Sequence, residues 1–174
     1  MGVVTNPDNG SPQATLHTSN GDITVNLFPN QAPKTVSNFV GLATGEGQYS
    51  EPNAKGGTSG PFYDGTIFHR VVPGFMAQGG DPTGTGEGGS KLPDLKSEFN
   101  SLPHLRGTVA AARTADSTDS ANSQFYIMFG PDGSLDRNYT VFGRVISGMD
   151  AVDKIAPGQP PAEPTKIVKA SIGG

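Results

Sequence analysis

The sequence predicts an all-β fold, a barrel or sandwich of short antiparallel strands with one or two helices. Three observations carry this. Seven or eight short segments are rich in β-branched and aromatic residues, turn signals separate most of them, and only one segment has strong helical spacing. Composition agrees, since 25 Gly and 15 Pro make a chain of 174 residues turn-rich but not low-complexity. Leu, Ile, Val and Phe supply only about 21% of it, which would suggest disorder if joined to a large net charge, but the charge is −4. One domain with one core is expected.

In order along the chain, residues 1 to 13 are small, polar and Pro/Gly-bearing, and are expected to form a flexible tail before a domain over 14–174. From Ala14 the pattern alternates to Thr18, turns at Ser19-Asn20-Gly21 and resumes from Ile23 to Phe28, a hairpin with Leu16, Ile23, Val25 and Leu27 on its buried face. Pro33 opens a helix to Thr44, with Val36, Phe39, Val40 and Ala43 as its apolar stripe and Gly45 as its stop. Gly45 to Pro61 is a long loop. Strands then fall at Thr66–Val72 and Phe75–Gln78, parted by Pro73-Gly74, followed by a loop over the glycine-rich Gly79–Ser90 and an irregular Lys91–Arg106. Further strands are expected at Gly107–Ala112, Gln124–Phe129, Thr140–Ile146 and Lys166–Ile172, with a second helix over Ser147–Ala156 on the spacing of Met149, Val152 and Ile155.

Charge and composition exclude several functions. The isoelectric point near 5.2 and scattered Lys and Arg argue against nucleic acid as a partner. No apolar run is long enough for a membrane helix, and the start lacks a secretory pattern. Gly2 does not make a myristoylation site, because Asn6 stands where that motif needs Ser or Thr. Zero cysteines exclude disulfides and thiolate chemistry and fit a reducing compartment, so the cytoplasm is expected.

Two short motifs carry no function. Gly84 to Gly89 contains G-x-G-x-x-G, but Ser90-Lys91-Leu92-Pro93 follows instead of the helix that a pyrophosphate needs; such glycines suit a loop whose backbone approaches a ligand. Asn138-Tyr139-Thr140 is a glycosylation sequon, expected to carry no meaning because no secretory pattern is seen. His17, His69 and His104 lie in separate elements without metal-ligand spacing, and no hydrolase motif is present.

The informative block runs from Phe68 to Asp81, Phe-His-Arg-Val-Val-Pro-Gly-Phe-Met-Ala-Gln-Gly-Gly-Asp. Strand alternation puts Phe68, Arg70 and Val72 on one face, so an Arg shares its side with apolar neighbours. By pattern alone that Arg is either an edge residue reaching water or a functional cation.

This block resembles the signature of the cyclophilins, peptidyl-prolyl cis-trans isomerases inhibited by cyclosporin. Ala32 to Phe39, Asn122 to Ile127 and Val141 to Val145 are similar to further family segments, in order, and the likeness spans Ala14 to Ile172. It implies a closed eight-stranded antiparallel barrel capped by two helices. It also implies Arg70 as the catalytic arginine, with Phe75, Met76, Tyr126 and Leu135 as the pocket for the substrate proline ring. Gln78 and Gln124 fall on polar contacts, Ala112 and Arg113 on the segment holding the substrate backbone, and Gly84 and Gly86 beside the neighbouring subsite. Two positions depart from many eukaryotic members: Tyr139 stands in place of His in the substrate-binding set, as in many bacterial members, and Ser134 in place of Trp.

The implied chemistry is rotation of an X-Pro amide, which needs no cofactor, metal or covalent intermediate. A guanidinium can donate to the proline nitrogen once twisting has localised its lone pair, without losing its own charge, and Gln78 is expected to hold Arg70 for this. Proline-containing peptides and unfolded protein clients are the expected partners of a monomer, with cyclosporin as a weak inhibitor for want of the Trp. Two rivals stay open: a proline-peptide binding or chaperone module with incidental catalysis, and a structural barrel with Phe75 and Met76 packed inside it.

Overall fold

A computed structural model of the chain describes residues 12–46, 49 and 52–173. The strands are β1 (Gln13–Thr18), β2 (Gly21–Leu27), β3 (Ile67–Val72), β4 (Met76–Asp81), β5 (Thr108–Ala111), β6 (Phe125–Met128), β7 (Val141–Ser147) and β8 (Ile167–Gly173). The helices are α1 (Pro33–Thr44) and the five-residue α2 (Met149–Asp153), with a single 3₁₀ turn at Gly133–Leu135. All eight strands join one antiparallel sheet in the order β3-β4-β6-β5-β7-β2-β1-β8.

The sheet is a half-barrel, which corrects the closed barrel that the resemblance implies. Its end strands approach at a bridge between Ile67 of β3 and Lys166, the residue just before β8, where Ile167 N donates to Thr66 O at 2.8 Å. Beyond that point the edge of β3 is occupied by the chain preceding β8. Val71 and Gly158 exchange both backbone hydrogen bonds, at 2.8 and 3.0 Å, and satisfy the groups that β8 would otherwise take.

Most of the tail expected over residues 1–13 lies outside the described residues, but Gln13 opens β1 and Pro12 bonds to β2. Pro12 O accepts from Leu27 N, and Gln13 pairs with both Asn26 and Gly173. In the hairpin Leu16, Ile23, Val25 and Leu27 are all buried, as the alternation requires. The second helix is shorter than its spacing suggests, because β7 runs on to pair Ser147 with Thr24, and Gly148 makes the turn between strand and helix.

Helix α1 has the predicted bounds. Gly45 ends it in the left-handed region, with φ of 84°, and a Cβ there would lie 2.6 Å from the backbone of Gly60, so both conformation and space call for glycine. Leu42 is buried together with Val36, Phe39 and Ala43, while Val40 is only partly covered. The ring of Phe39 meets Tyr63, Phe142 and Phe125 at 5.0, 5.4 and 5.6 Å, which joins the helix to the sheet.

The N-terminus of α1 has no side-chain cap from Ala32. Glu98 caps it instead: its carboxylate accepts from Lys34 N at 3.1 Å, Thr35 N at 2.8 Å and Thr35 Oγ1 at 2.7 Å. A carboxylate there satisfies amides that have no intrahelical partner and complements the helix dipole. Glu98→Ala should therefore lower stability by ~1–2 kcal/mol, measured as a reduced urea midpoint with unchanged slope. An unmoved midpoint would mean that water caps the helix equally well.

Candidate active site

The site is built where β3 breaks its alternation. In the β3–β4 ladder Phe68 pairs with Gly79 and Arg70 with Gln78, so His69 is an extra residue and the strand is bulged there. Phe68 and Val71, 0% and 2% exposed, then face the main core, while Arg70 and Val72 face the other side. This corrects the expected sharing of one face by Phe68 and Arg70. The Arg70 side chain is exposed at the edge of an apolar depression and does not lie among core residues.

Register carries the site across the sheet. Arg70 pairs with Gln78, Gln78 with Tyr126, and Tyr126 with Ala110, a row over β3, β4, β6 and β5 whose side chains share a face. Around that row Arg70, Phe75, Met76, Gln78, Ala112, Arg113, Tyr126, Leu135 and Tyr139 enclose a depression of about 110 Å³. That is room for a small ring, well below the ~300–1,000 Å³ of sites for larger ligands. Phe75 and Met76 line this opening and are not lost in the main core, contrary to the structural-barrel alternative. Tyr126 and Tyr139 meet edge to face at 5.7 Å, and the Arg113 guanidinium stacks 4.5 Å above the Tyr139 ring while bonding the carbonyls of Asn138 and Thr114.

A larger groove of about 1200 Å³ adjoins the depression, sharing Gln78, Ala112 and Arg113 with it and adding Gly86 and Gln124. Gly84 lines neither space; a Cβ on it would lie 3.2 Å from Ile67 Cδ1, so it faces β3. The loop carrying these glycines folds over Asp81, whose carboxylate accepts from Thr83 N and Oγ1, Gly86 N and Gly88 N at 2.6–3.1 Å. Burial acts to raise the Asp81 pKa, but these bonds outweigh it and hold the carboxyl below its ordinary value. The strand β4 thus runs three residues into what the sequence suggests is loop. Gly80 permits this, with φ of 93° and the carbonyl oxygen of Ser123 only 2.6 Å from where a Cβ would stand.

The expected bond between Gln78 and Arg70 is replaced by two others. Gln78 Nε2 donates to Gln124 Oε1 at 2.9 Å, and Gln124 Nε2 donates to the carbonyls of Gly86 and Gly88, tying the row to the glycine loop. Arg70 Nε donates to Gln159 Oε1 at 3.3 Å, in the segment before β8. Gln159 carries no sequence signal for this role, because it lies 89 positions from its partner. His104 is the other unforeseen element. Its Nε2 lies 2.8 Å from Tyr126 Oη and its Nδ1 3.0 Å from Asp136 Oδ1, directly behind the pocket wall.

His69 is buried beside the bulge with no hydrogen-bond partner for Nδ1, and its pKa is lowered chiefly by burial, Asp81 opposing and Arg70 assisting. Burial, with Tyr139 adding to it, pushes the Tyr126 phenol far up, so this wall of the pocket is neutral at any working pH. Among the described residues no helix is long and apolar enough to cross a membrane.

Residues 13–172 match the family model described as cyclophilin type peptidyl-prolyl cis-trans isomerase/CLD. The peptidyl-prolyl cis-trans isomerase A of Mycobacterium tuberculosis is 46% identical over 180 residues, covering 97% of this chain and 96% of that protein. A probable peptidyl-prolyl cis-trans isomerase of Brucella suis is 40% identical over 190 residues, covering 99% and 89%. Among solved structures, a cyclophilin-type isomerase of Cryptosporidium parvum, crystallised with the dipeptide Ala-Pro present, superimposes with a TM-score of 0.77 at 29% identity, covering 93% of this chain and 99% of that one. A match over nearly the whole sheet, joined to an arginine-edged pocket for a small ring, means that this chain belongs to the cyclophilin-type peptidyl-prolyl cis-trans isomerases.

Proposed function

We propose that the chain accelerates rotation about X-Pro bonds in proline-containing peptides and unfolded protein clients, with Arg70 as the catalytic donor. Phe75, Met76, Tyr126 and Leu135 receive the proline ring, while Gln78, Ala112, Arg113, Gln124, Tyr139 and Gly86 contact the flanking peptide. The observation that carries this reading is the guanidinium at the rim of an apolar pocket of ring size. The uncatalysed barrier is ~18–20 kcal/mol because the nitrogen lone pair is conjugated with the carbonyl. On twisting, that lone pair localises on the proline nitrogen, which becomes a better acceptor. With Nε held by Gln159, the Nη groups of Arg70 are the donors left for it. A binding module alone would need the apolar walls but not this cation. Exchange NMR on an Ala-Pro peptide with the purified protein should show accelerated isomerisation; unaltered exchange with a bound peptide would favour the binding module.

Monomeric action suits a site drawn from one chain, and the absence of cysteine suits the cytoplasm. Cyclosporin is expected to inhibit weakly. Ser134 is exposed beside Leu135, bonded through N and Oγ to Asp132, and supplies neither an apolar wall nor an indole donor. Ser134→Trp should tighten cyclosporin by ~2–3 kcal/mol, about 30- to 150-fold in inhibition constant, with a smaller effect on peptide turnover. An unchanged inhibition constant would remove Ser134 from the inhibitor's footprint.

A further inference from the structure

The His104 ring, in a residue 1% exposed, joins two walls of the pocket. On one side its backbone N and its Nδ1 both approach Asp136 Oδ1, at 2.7 and 3.0 Å, and its carbonyl accepts from Asp132 N at 3.0 Å. These bonds fix it to the turn that presents Leu135. On the other side Nε2 meets the hydroxyl of Tyr126, the opposite wall. A carboxylate only accepts, which assigns the imidazole proton to Nδ1 and makes Nε2 the acceptor of the Tyr126 hydroxyl. Both ring nitrogens and the Tyr126 hydroxyl are paired while the ring is neutral.

We infer that His104 and Asp136 are positioning residues that hold the Tyr126 ring in place for the substrate proline, and that this hold is loosened when His104 gains a second proton. The inference rests on the isomerase reading above. A protonated ring donates from Nε2 as well, so the Tyr126 hydroxyl has to turn its own hydrogen elsewhere. Tyr126 is 4% exposed, and among the described residues only His104 bonds its hydroxyl, so the hydrogen is left buried and unpaired until the ring shifts.

The groups facing His104 are Asp136 and Asp132 on the turn, Tyr126 on β6 and the Tyr139 ring, edge-on at 6.5 Å. Burial lowers the His104 pKa below its ordinary 6.5, against the opposing pull of Asp136 and Asp132. The unfolded chain therefore takes up this proton first as pH falls. The stabilisation is complete above about 6.5 and is lost as pH drops toward the lowered folded value. A wall that touches the proline alike in cis, trans and twisted forms acts on KM and leaves kcat alone.

The test is exchange NMR on an Ala-Pro peptide between pH 8 and pH 5, with wild type, Tyr126→Phe and His104→Gln. Wild-type KM should rise as pH falls, up to about five-fold once His104 is protonated, the scale of one buried hydroxyl left unpaired, with kcat changing less than two-fold. Tyr126→Phe keeps the ring but lacks the hydroxyl, so its KM at pH 8 should already exceed the wild-type value and should not vary with pH. His104→Gln should also give a flat profile; if it does not fold, Tyr126→Phe decides alone. His69, the other buried imidazole, is intact in both variants. A rise in KM that persists in Tyr126→Phe belongs to His69 and overturns the inference, as does a flat wild-type profile. Absence of turnover in the wild type at pH 8 would instead overturn the isomerase reading.

Discussion

Replacing Arg70 with Ala should lower isomerase turnover by at least about two orders of magnitude, the scale for removing one positioned electrostatic donor. Peptide affinity should fall far less. The planar amide nitrogen of the bound ground state is a poor acceptor, so the guanidinium interacts with it strongly only after twisting, and a contact of that kind acts on kcat. The apolar walls of Phe75, Met76, Tyr126 and Leu135 are untouched by the substitution and retain the ring. Arg70→Lys should recover only part of the loss, because an ammonium cannot keep one donor on Gln159 while directing others at the substrate from a rigid plane. Exchange NMR gives rate and affinity from one sample. Equal losses in both, or a loss in neither, would sink the transition-state role and leave Arg70 a surface residue.

How legible this site is in the sequence depends on how local each feature is. Helix α1 can be read to the residue because Pro33 and Gly45 mark its ends within the segment itself. The hairpin faces follow from a period of two that nothing interrupts. The same period fails in β3, where the bulge at His69 inserts one position and moves Phe68 to the face opposite Arg70. Features made by distant partners leave no local trace. Glu98 caps a helix 63 residues away, Gln159 reaches Arg70 across 89, and His104 meets Tyr126 and Asp136 across 22 and 32. The open end of the sheet has the same origin, since Gly158 lies far in sequence from the Val71 edge it covers. The resemblance to a family supplies what periodicity lacks, and the pocket set it implies does converge on one depression. It carries each position singly, however, so it does not tell that a Cβ at Gly84 would meet Ile67 while its neighbours Thr83 and Thr85 line the groove.

Phe125→Ala should be the most destabilising single change near the site, costing ~3–5 kcal/mol as a large aromatic lost from a packed core. Phe125 is 1% exposed and its ring meets those of Phe39, Tyr63 and Phe68 nearly at right angles, with centroids 5.6, 5.7 and 6.2 Å away. The lost side chain therefore removes three edge-to-face contacts as well as apolar area. Against a total stability of about 5–15 kcal/mol this is a large share, and the urea midpoint should fall by about 2 M. Phe125→Leu should lose ~1–1.5 kcal/mol, because most of the volume is kept. The chain neighbours of Phe125 are Gln124, just before β6, and Tyr126 within it, and both line the site. Loosening β6 should accordingly raise KM through Tyr126 in the molecules that remain folded. It should spare kcat per folded molecule, since Arg70 is carried by β3 and held by Gln159. A midpoint shift below about 0.5 M would mean that Phe39 and Tyr63 collapse into the space, and that this ring does not bind helix to sheet.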